Sequence, residues 1–227
     1  MYIPAPHAET DDDALLAFIA ANPLGALVTA SATGELVATH IPWVIHRGRG
    51  RRGTLQGHIA RANSEHTASQ AEAADRELQA LVIFTGPDAY ISPSWYASAR
   101  EHGKVVPTWD YVAVHVVGKA RFTTDPEFLA RHLEQLVATH ENGRPAPWTV
   151  RGAPADYIER QMRAIVGVEV AIDRIEGKWK MSQNRSAEDV AGVVENLRNA
   201  RGAKERSVAE IVAARNAAKL NGEQGRR

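Results

Sequence analysis

Apolar and polar residues along this chain recur with two periods, one helical and one of two residues. Thr10 is the expected N-cap of a helix running to about residue 21, with Asp11, Asp12 and Asp13 in its first turn and Asn22-Pro23 ending it. Residues 24–31 (LGALVTAS) read as a buried strand, Thr33-Gly34 as a turn, and residues 36–45 as a second strand, giving a hairpin in which Pro42 marks an edge or a bulge. A short strand over 55–59 precedes a helix over 60–74. Residues 78–85 (LQALVIFT) form an apolar strand, Gly86-Pro87-Asp88 a turn, and 89–92 a further extended piece leading into a loop or short helix to 103.

Residues 108–123 alternate, with Tyr111, Ala113, His115 and Val117 on one face and Val112, Val114 and Val116 on the other, which predicts a long strand with both faces partly covered. Asp125 caps an amphipathic helix carrying Phe128, Leu129, Leu133, Leu136 and Val137 to about residue 140. A break over 142–147, a short helix over 156–165 and an alternating strand over 166–176 follow. Two helices, over 187–199 and 207–220, precede a tail at 221–227 without apolar periodicity. About six strands, several joined directly, are not a regular βαβ alternation. A mainly β chain with helices, folded as an antiparallel barrel with peripheral helices, is the expected class.

Composition narrows the function. The 227 residues carry 27 Lys+Arg and 27 Asp+Glu, so no whole-surface field attracts nucleic acid. With no cysteine, a disulfide scaffold, a zinc-thiolate site and a cysteine nucleophile are excluded. No apolar run reaches the roughly 18–20 residues of a membrane span, and the first residues lack a secretory pattern, which points to the cytoplasm. The run Arg47 to Gly53 (RGRGRRG) reads as a solvated hairpin loop, the alternative being an RNA-binding element. Phosphate-loop, dinucleotide, zinc-protease and serine-hydrolase signatures are missing. His40, His46 and His58 lie in the first sheet region, the first two on one face, but at no metal-ligand spacing, so no metal is expected.

Three segments are richer in polar and aromatic residues than a plain fold demands: GHIARAN (57–63), GPDAYISPSWY (86–96) with VPTWDY (106–111), and GKWKMSQNR (177–185). Each has a bland reading. YISPSWY also suits a rigid loop closing a barrel end, Arg61 and Asn63 suit a surface charge and a cap, and KWKMSQNR suits a solvated charge cluster or a strand edge at a dimer interface.

These segments resemble the PaiB family of FMN-binding negative transcriptional regulators, from Met1 through Arg185. The family pattern has Asn where this chain has Asp110, and Leu where it has Met181. The resemblance implies a split β-barrel, FMN as cofactor and a homodimer holding FMN in clefts between subunits. The expected domains are a split barrel over 1–186 and a C-terminal helical extension with a frayed tail over 187–227, the chain after about Leu197 lying outside the resemblance. A phosphate with nearly two charges needs cationic or hydroxyl donors, and Arg61, Ser92, Ser94, Lys178, Lys180 and Arg185 supply them. An isoalloxazine ring needs an aromatic face and a few polar partners, and Trp95, Tyr96, Trp109, Gln183 and Asn184 supply those, with His58 and Asn63 completing the set. Alternatives to a regulator are an FMN-dependent oxidoreductase of a small molecule, a haem-binding split barrel and a flavin-free nucleic-acid binder. No helix-turn-helix stands out, so DNA contact has no motif behind it. No nucleophile–base pair is visible, and flavin chemistry would belong to the cofactor.

Overall fold

The computed structural model describes residues 1–30, 34–63 and 77–224. The strands are β1 (Ala8–Glu9), β2 (Leu24–Ala30), β3 (Leu36–Pro42), β4 (Val44–His46), β5 (Thr54–Ala60), β6 (Leu78–Ile91), β7 (Thr108–Thr123) and β8 (Ile165–Lys180). They form one eight-stranded sheet in the order β3-β2-β6-β7-β8-β5-β4, with β1 paired to β8. The helices are α1 (Asp12–Ala21), α2 (Ala97–Glu101), α3 (Pro126–Glu141), α4 (Ala155–Arg163), α5 (Ala187–Arg198), α6 (Ala203–Arg215) and α7 (Ala217–Gln224). This is the antiparallel, β-rich class with helices that the sequence pattern predicts.

The chain divides into two compact units, the first of Met1–Thr10, Thr85–Ala113 and Glu176–Arg227, the second of Asp11–Phe84 and Val114–Ile175. In the second unit β2 pairs antiparallel with β3 from Leu24↔Pro42 to Ala30↔Leu36, and β5 pairs with β8 from Thr54↔Ala171 to Ala60↔Ile165. Alternation sends Leu27, Leu55, Val114, Val116, Val168 and Val170 into the core, and Leu15 and Ile19 of α1 are buried as well. Gly118 permits the close approach of β7 to β8, since a Cβ there would stand 1.9 Å from the Ala171 carbonyl oxygen. The RGRGRRG run is the β4–β5 hairpin loop. Arg47, Arg49 and Arg52 pair with Asp13, Glu169 and Asp12, so most of its charge is answered within the protein.

In the first unit α5 and α6 bury Val190, Val193, Leu197, Val208 and Val212. Gly192 lets α5 lie against the 3-10 turn Pro93–Trp95, because a Cβ at that position would sit 2.1 Å from the Trp95 carbonyl oxygen.

Several local expectations are corrected. Asp11, not Thr10, caps α1, its carboxylate accepting from the Asp13 amide. The strand expected over 36–45 breaks at Trp43, whose amide and indole donate to Pro23 and Gly25 carbonyls, so the shared face of His40 and His46 does not follow from parity. Gly86-Pro87-Asp88 is not a turn but lies inside β6, because the proline φ is compatible with extended backbone. The last helix is two, divided at Asn216, and helical structure continues to Gln224 through residues expected to fray. Residues 31–33 and 64–76, hence part of the first turn and most of the helix expected over 60–74, lie outside the described residues.

Candidate functional site

The first unit gathers ten of the thirteen residues singled out above, on the 3-10 turn after β6, the start of β7 and the end of β8. Asp110 on β7 is 0% exposed. Burial raises its carboxyl above the usual carboxylate range, opposed by Ser182 and Lys180. Ser182 Oγ donates to Asp110 Oδ2 at 2.7 Å. Lys180 Nζ donates to Thr108 Oγ1 at 2.8 Å and to the Trp109 carbonyl at 2.6 Å, and meets Asp110 Oδ1 at 3.5 Å. Those three acceptors match the three N–H bonds of an ammonium.

Past Lys180 the chain turns sharply. Ser182 holds φ at +58°, a left-handed conformation uncommon outside glycine, and the Arg185 amide closes the turn on the Ser182 carbonyl at 3.0 Å. Gln183 is internal to this turn: its Oε1 accepts from the Met181 amide at 2.7 Å and meets His7 Nδ1 at 2.8 Å, and its Nε2 donates to the Trp179 carbonyl. Asn184 is exposed at the apex.

Arg185 lies with its guanidinium 4.4 Å from the Tyr96 ring centroid. The Tyr96 hydroxyl is buried, with Arg185 as its polar neighbour. Desolvation raises its pKa, with Arg185 acting against that rise. Ser92 and Ser94 exchange a hydroxyl contact at 2.8 Å, and Ser92 caps the turn that carries Trp95. Lys178 donates to the Tyr2 carbonyl at 3.2 Å and lies 5.3 Å from the Tyr111 ring centroid. Trp109 is 54% and Tyr90 47% exposed, and the two rings meet edge to face at 6.0 Å.

The second unit holds His58, Arg61 and Asn63. Arg61 is anchored through Nε to the Arg163 carbonyl at 2.8 Å and through its amide to the Ala164 carbonyl at 2.8 Å. It lines a cavity of 360 Å³ with Thr124, Leu129, Met162 and Arg163 among its walls. Asn63 Nδ2 donates to Thr39 Oγ1 at 3.3 Å. His58 Nδ1 meets Nε2 of His132, a fully buried residue on α3, at 3.0 Å. His132 Nδ1 has no partner, so placing its proton on Nε2 leaves a lone pair unpaired rather than an N–H, and His132 donates to His58. Burial lowers the pKa of both rings, that of His132 to about 4. Among the described residues no group of three His, Cys, Asp or Glu could hold a metal.

The residues that fit a flavin phosphate are Arg185, Asn184, Ser94 and Lys178, which offer cationic, amide and hydroxyl donors. The buried Tyr96 holds Arg185 in place, through its ring face and its hydroxyl. The exposed Tyr90–Trp109 pair fits a flat ring that leaves water. Sequence reasoning missed Ser182, His132, Asn216 and Lys219. Of these, Ser182 lies inside the GKWKMSQNR segment and His132 stands four residues after Phe128 and three after Leu129 on the apolar face of its helix, while Asn216 and Lys219 left no signal.

The fold is that of a β-rich split barrel with helices. The chain belongs to the family described as "Putative FMN-binding domain", whose model matches residues 1–174, and FMN is the cofactor that defines this family. It is 32% identical to the protease synthase and sporulation protein PAI 2 of Bacillus subtilis, over 93% of this chain and 96% of that protein. It is 36% identical to an uncharacterized protein of Aspergillus fumigatus, over 87% of this chain and 90% of that one. Among solved structures it is similar to the FAD and heme binding protein from Mycobacterium smegmatis, with a TM-score of 0.55, 18% identity and coverage of 82% of this chain and 79% of that one. The structural likeness shows a shared fold.

Proposed function

We propose that this chain binds FMN noncovalently and acts, as a homodimer in the cytoplasm, as a negative transcriptional regulator of the PaiB type. The observation that carries the reading is the match to the FMN-binding family over residues 1–174, joined to near full-length similarity to the Bacillus subtilis protein. Arg185, Asn184, Ser92, Ser94 and Lys178 hold the phosphate, and Trp109 and Trp95 take the ring or its edge, while the fully buried Tyr96 backs Arg185 from within the fold. Lys180 and Gln183 have their polar atoms engaged within the fold and support the site from behind. FMN, when bound, supplies hydride and single-electron transfer. A flat ring lying on one chain keeps its other face in water, and a second copy covers it.

Regulation in this reading runs through a partner or through redox state. The pair α5–α6, joined by residues 199–202, has the spacing of a helix-turn-helix. Most of its cations are engaged internally, however: Arg198 by Glu210, Lys204 by Asp88, Arg206 by the Ala200 and Arg201 carbonyls, and Arg215 by Glu9.

The absorbance spectrum of the purified protein and a fluorescence titration with FMN test the reading. Flavin bands or saturable binding at micromolar FMN are expected, and neither appearing overturns it. Arg185→Ala removes a charge-assisted bond of roughly 1.5–3 kcal/mol, so FMN affinity falls by about ten- to a hundredfold. Riboflavin, lacking the phosphate, is affected much less, and equal losses for both would remove Arg185 from the phosphate.

A further inference from the structure

The end of β8 and the turn Ser182–Arg185 that follows it are held from the C-terminal side by three residues within five positions. Arg215 lies with its guanidinium 4.9 Å from the Trp179 ring centroid and donates to Glu9 Oε2. Asn216, 3% exposed between α6 and α7, donates from Nδ2 to the Met181 carbonyl at 2.9 Å and to the Val212 carbonyl at 2.8 Å. Lys219 on α7 donates from Nζ to the carbonyls of Gln183 and Arg185, the latter at 3.0 Å. The sequence spacing alone does not demand this. A continuous helix over 203–224 would need no break at Asn216, yet the break falls where the side chain reaches the Met181 carbonyl.

The same turn carries the one non-glycine residue with positive φ among the described residues, Ser182. A conformation of this kind costs on the order of 1 kcal/mol or more and persists only where surrounding contacts over-determine it. Those contacts are the Asp110 carboxylate on the Ser182 hydroxyl, and Asn216 and Lys219 on the carbonyls on either side. Carbonyls 183 and 185 flank Asn184, so an ammonium bonded to both fixes the apex of the turn, while the Arg185 side chain is aligned separately over Tyr96.

We propose that α7 is a brace for the Ser182–Arg185 turn, with Lys219 and Asn216 as positioning residues, so that affinity for a phosphate-bearing flavin depends on whether α7 is docked. The proposal rests on the FMN reading above. Docking of α7 and occupancy of the site then favour each other by one coupling free energy, whichever is measured first. Lys219 is exposed on its helix and takes no part in the sheet, so its variants probe the brace without touching the core.

The test uses the full chain, its Lys219→Ala and Lys219→Arg variants, and Asn216→Ala. Amide hydrogen exchange is followed at Arg185, whose N–H closes the turn, and affinities for FMN and riboflavin are measured by fluorescence. In Lys219→Ala the Arg185 amide exchanges faster and FMN affinity falls by roughly 3- to 10-fold, the loss of one or two partly exposed hydrogen bonds to the turn. Riboflavin changes less, because its phosphate is absent, and Lys219→Arg restores the FMN value because the guanidinium again spans the two carbonyls. Asn216→Ala moves both readouts in the same direction. In the reciprocal arm, FMN slows proteolytic cleavage after residues of α7 in the unmodified chain and does so less in Lys219→Ala. An unmodified chain that binds no FMN overturns the functional reading itself and is seen before any variant is made. Binding by the unmodified chain with unchanged exchange and affinity in Lys219→Ala overturns the brace alone. Equal losses for FMN and riboflavin, with no rescue by arginine, overturn it as well.

Discussion

Acidification should weaken this protein through one pair of histidines. His132 is 0% exposed on α3, stacks on Phe128 at 6.2 Å and donates to His58. Burial, with His58 and His46 adding to it, lowers the His132 pKa from 6.5 to about 4. An unfolded chain takes up this proton at its ordinary value, while the folded chain resists until the pH is far lower. The neutral pair's full contribution is therefore present above 6.5 and is lost progressively as pH falls from 6.5 to about 4. At pH 5 the loss from His132 alone is about 2 kcal/mol, and His58, lowered for the same reason, adds to it. The two rings titrate as a unit, so the figure belongs to the pair.

Urea unfolding at pH 7.5, 6 and 5 reads this effect, compared between the unmodified protein and His132→Gln. Glutamine keeps a donor for His58 Nδ1 but cannot take the proton. The stability lost between pH 7.5 and 5 should shrink by about 2 kcal/mol in the variant, with the urea slope unchanged. Carboxylates that protonate near pH 5 act equally on both proteins and cancel in the difference. An identical pH dependence in both would refute the reasoning, since it would mean that the buried ring charges without cost.

Other expectations follow from close contacts. Gly192→Ala drives a methyl into the Trp95 carbonyl and should cost about 1–3 kcal/mol or displace the turn that carries Ser92 and Ser94, read as a lower Tm. Asp110→Ala strands the Ser182 hydroxyl and leaves Lys180 without its carboxylate, and should destabilise by about 2–3 kcal/mol in thermal or urea unfolding. Asp110→Asn keeps an acceptor for Ser182 and should stay within about 1 kcal/mol of the unmodified protein. Lys180→Ala should lower Tm while leaving the ratio of FMN to riboflavin affinities as it was, because its ammonium faces Thr108, Trp109 and Asp110.

How much of this was legible in the sequence depends on how local the cause is. The alternation over 108–123 gave β7 with its bounds, and Asp125 gave the start of α3, because each signal lies within the element it describes. Gly86-Pro87-Asp88 misled because the residues carry turn chemistry while their conformation is set by a fourteen-residue strand. The split at Asn216 was invisible for the opposite reason: its partner, the Met181 carbonyl, lies 35 residues away. The candidate site divides along the same line. The segments that gather polar and aromatic residues could be named, but Lys178, Lys180 and Arg185 looked equivalent. Their difference arises from Asp110, about 70 residues earlier, and from Tyr96.

That difference bears on how a chain with no net charge would select a doubly charged phosphate. A general positive field is absent, since 27 basic residues balance 27 acidic ones. Five cations stand near the turn, yet Lys180 and Lys219 direct their N–H bonds at carbonyls, a hydroxyl and a buried carboxylate, and Arg215 pairs with Glu9. Lys178 is drawn to the Tyr2 carbonyl and the Tyr111 ring. Arg185 is held differently, by the face and hydroxyl of Tyr96, an arrangement that aligns a guanidinium while leaving most of its five donors for a ligand. A planar fork positioned in this way recognises two phosphate oxygens at once, where a flexible lysine offers a point charge. The specificity expected here is therefore geometric. It should survive added salt better than attraction by a lysine cluster, because screening weakens exposed long-range attraction far more than a short bidentate contact. Raising ionic strength from 0.05 to 0.5 M should weaken FMN binding by less than about tenfold. A steep salt dependence, unchanged in Arg185→Ala, would assign the phosphate to the diffuse charge of the lysines instead.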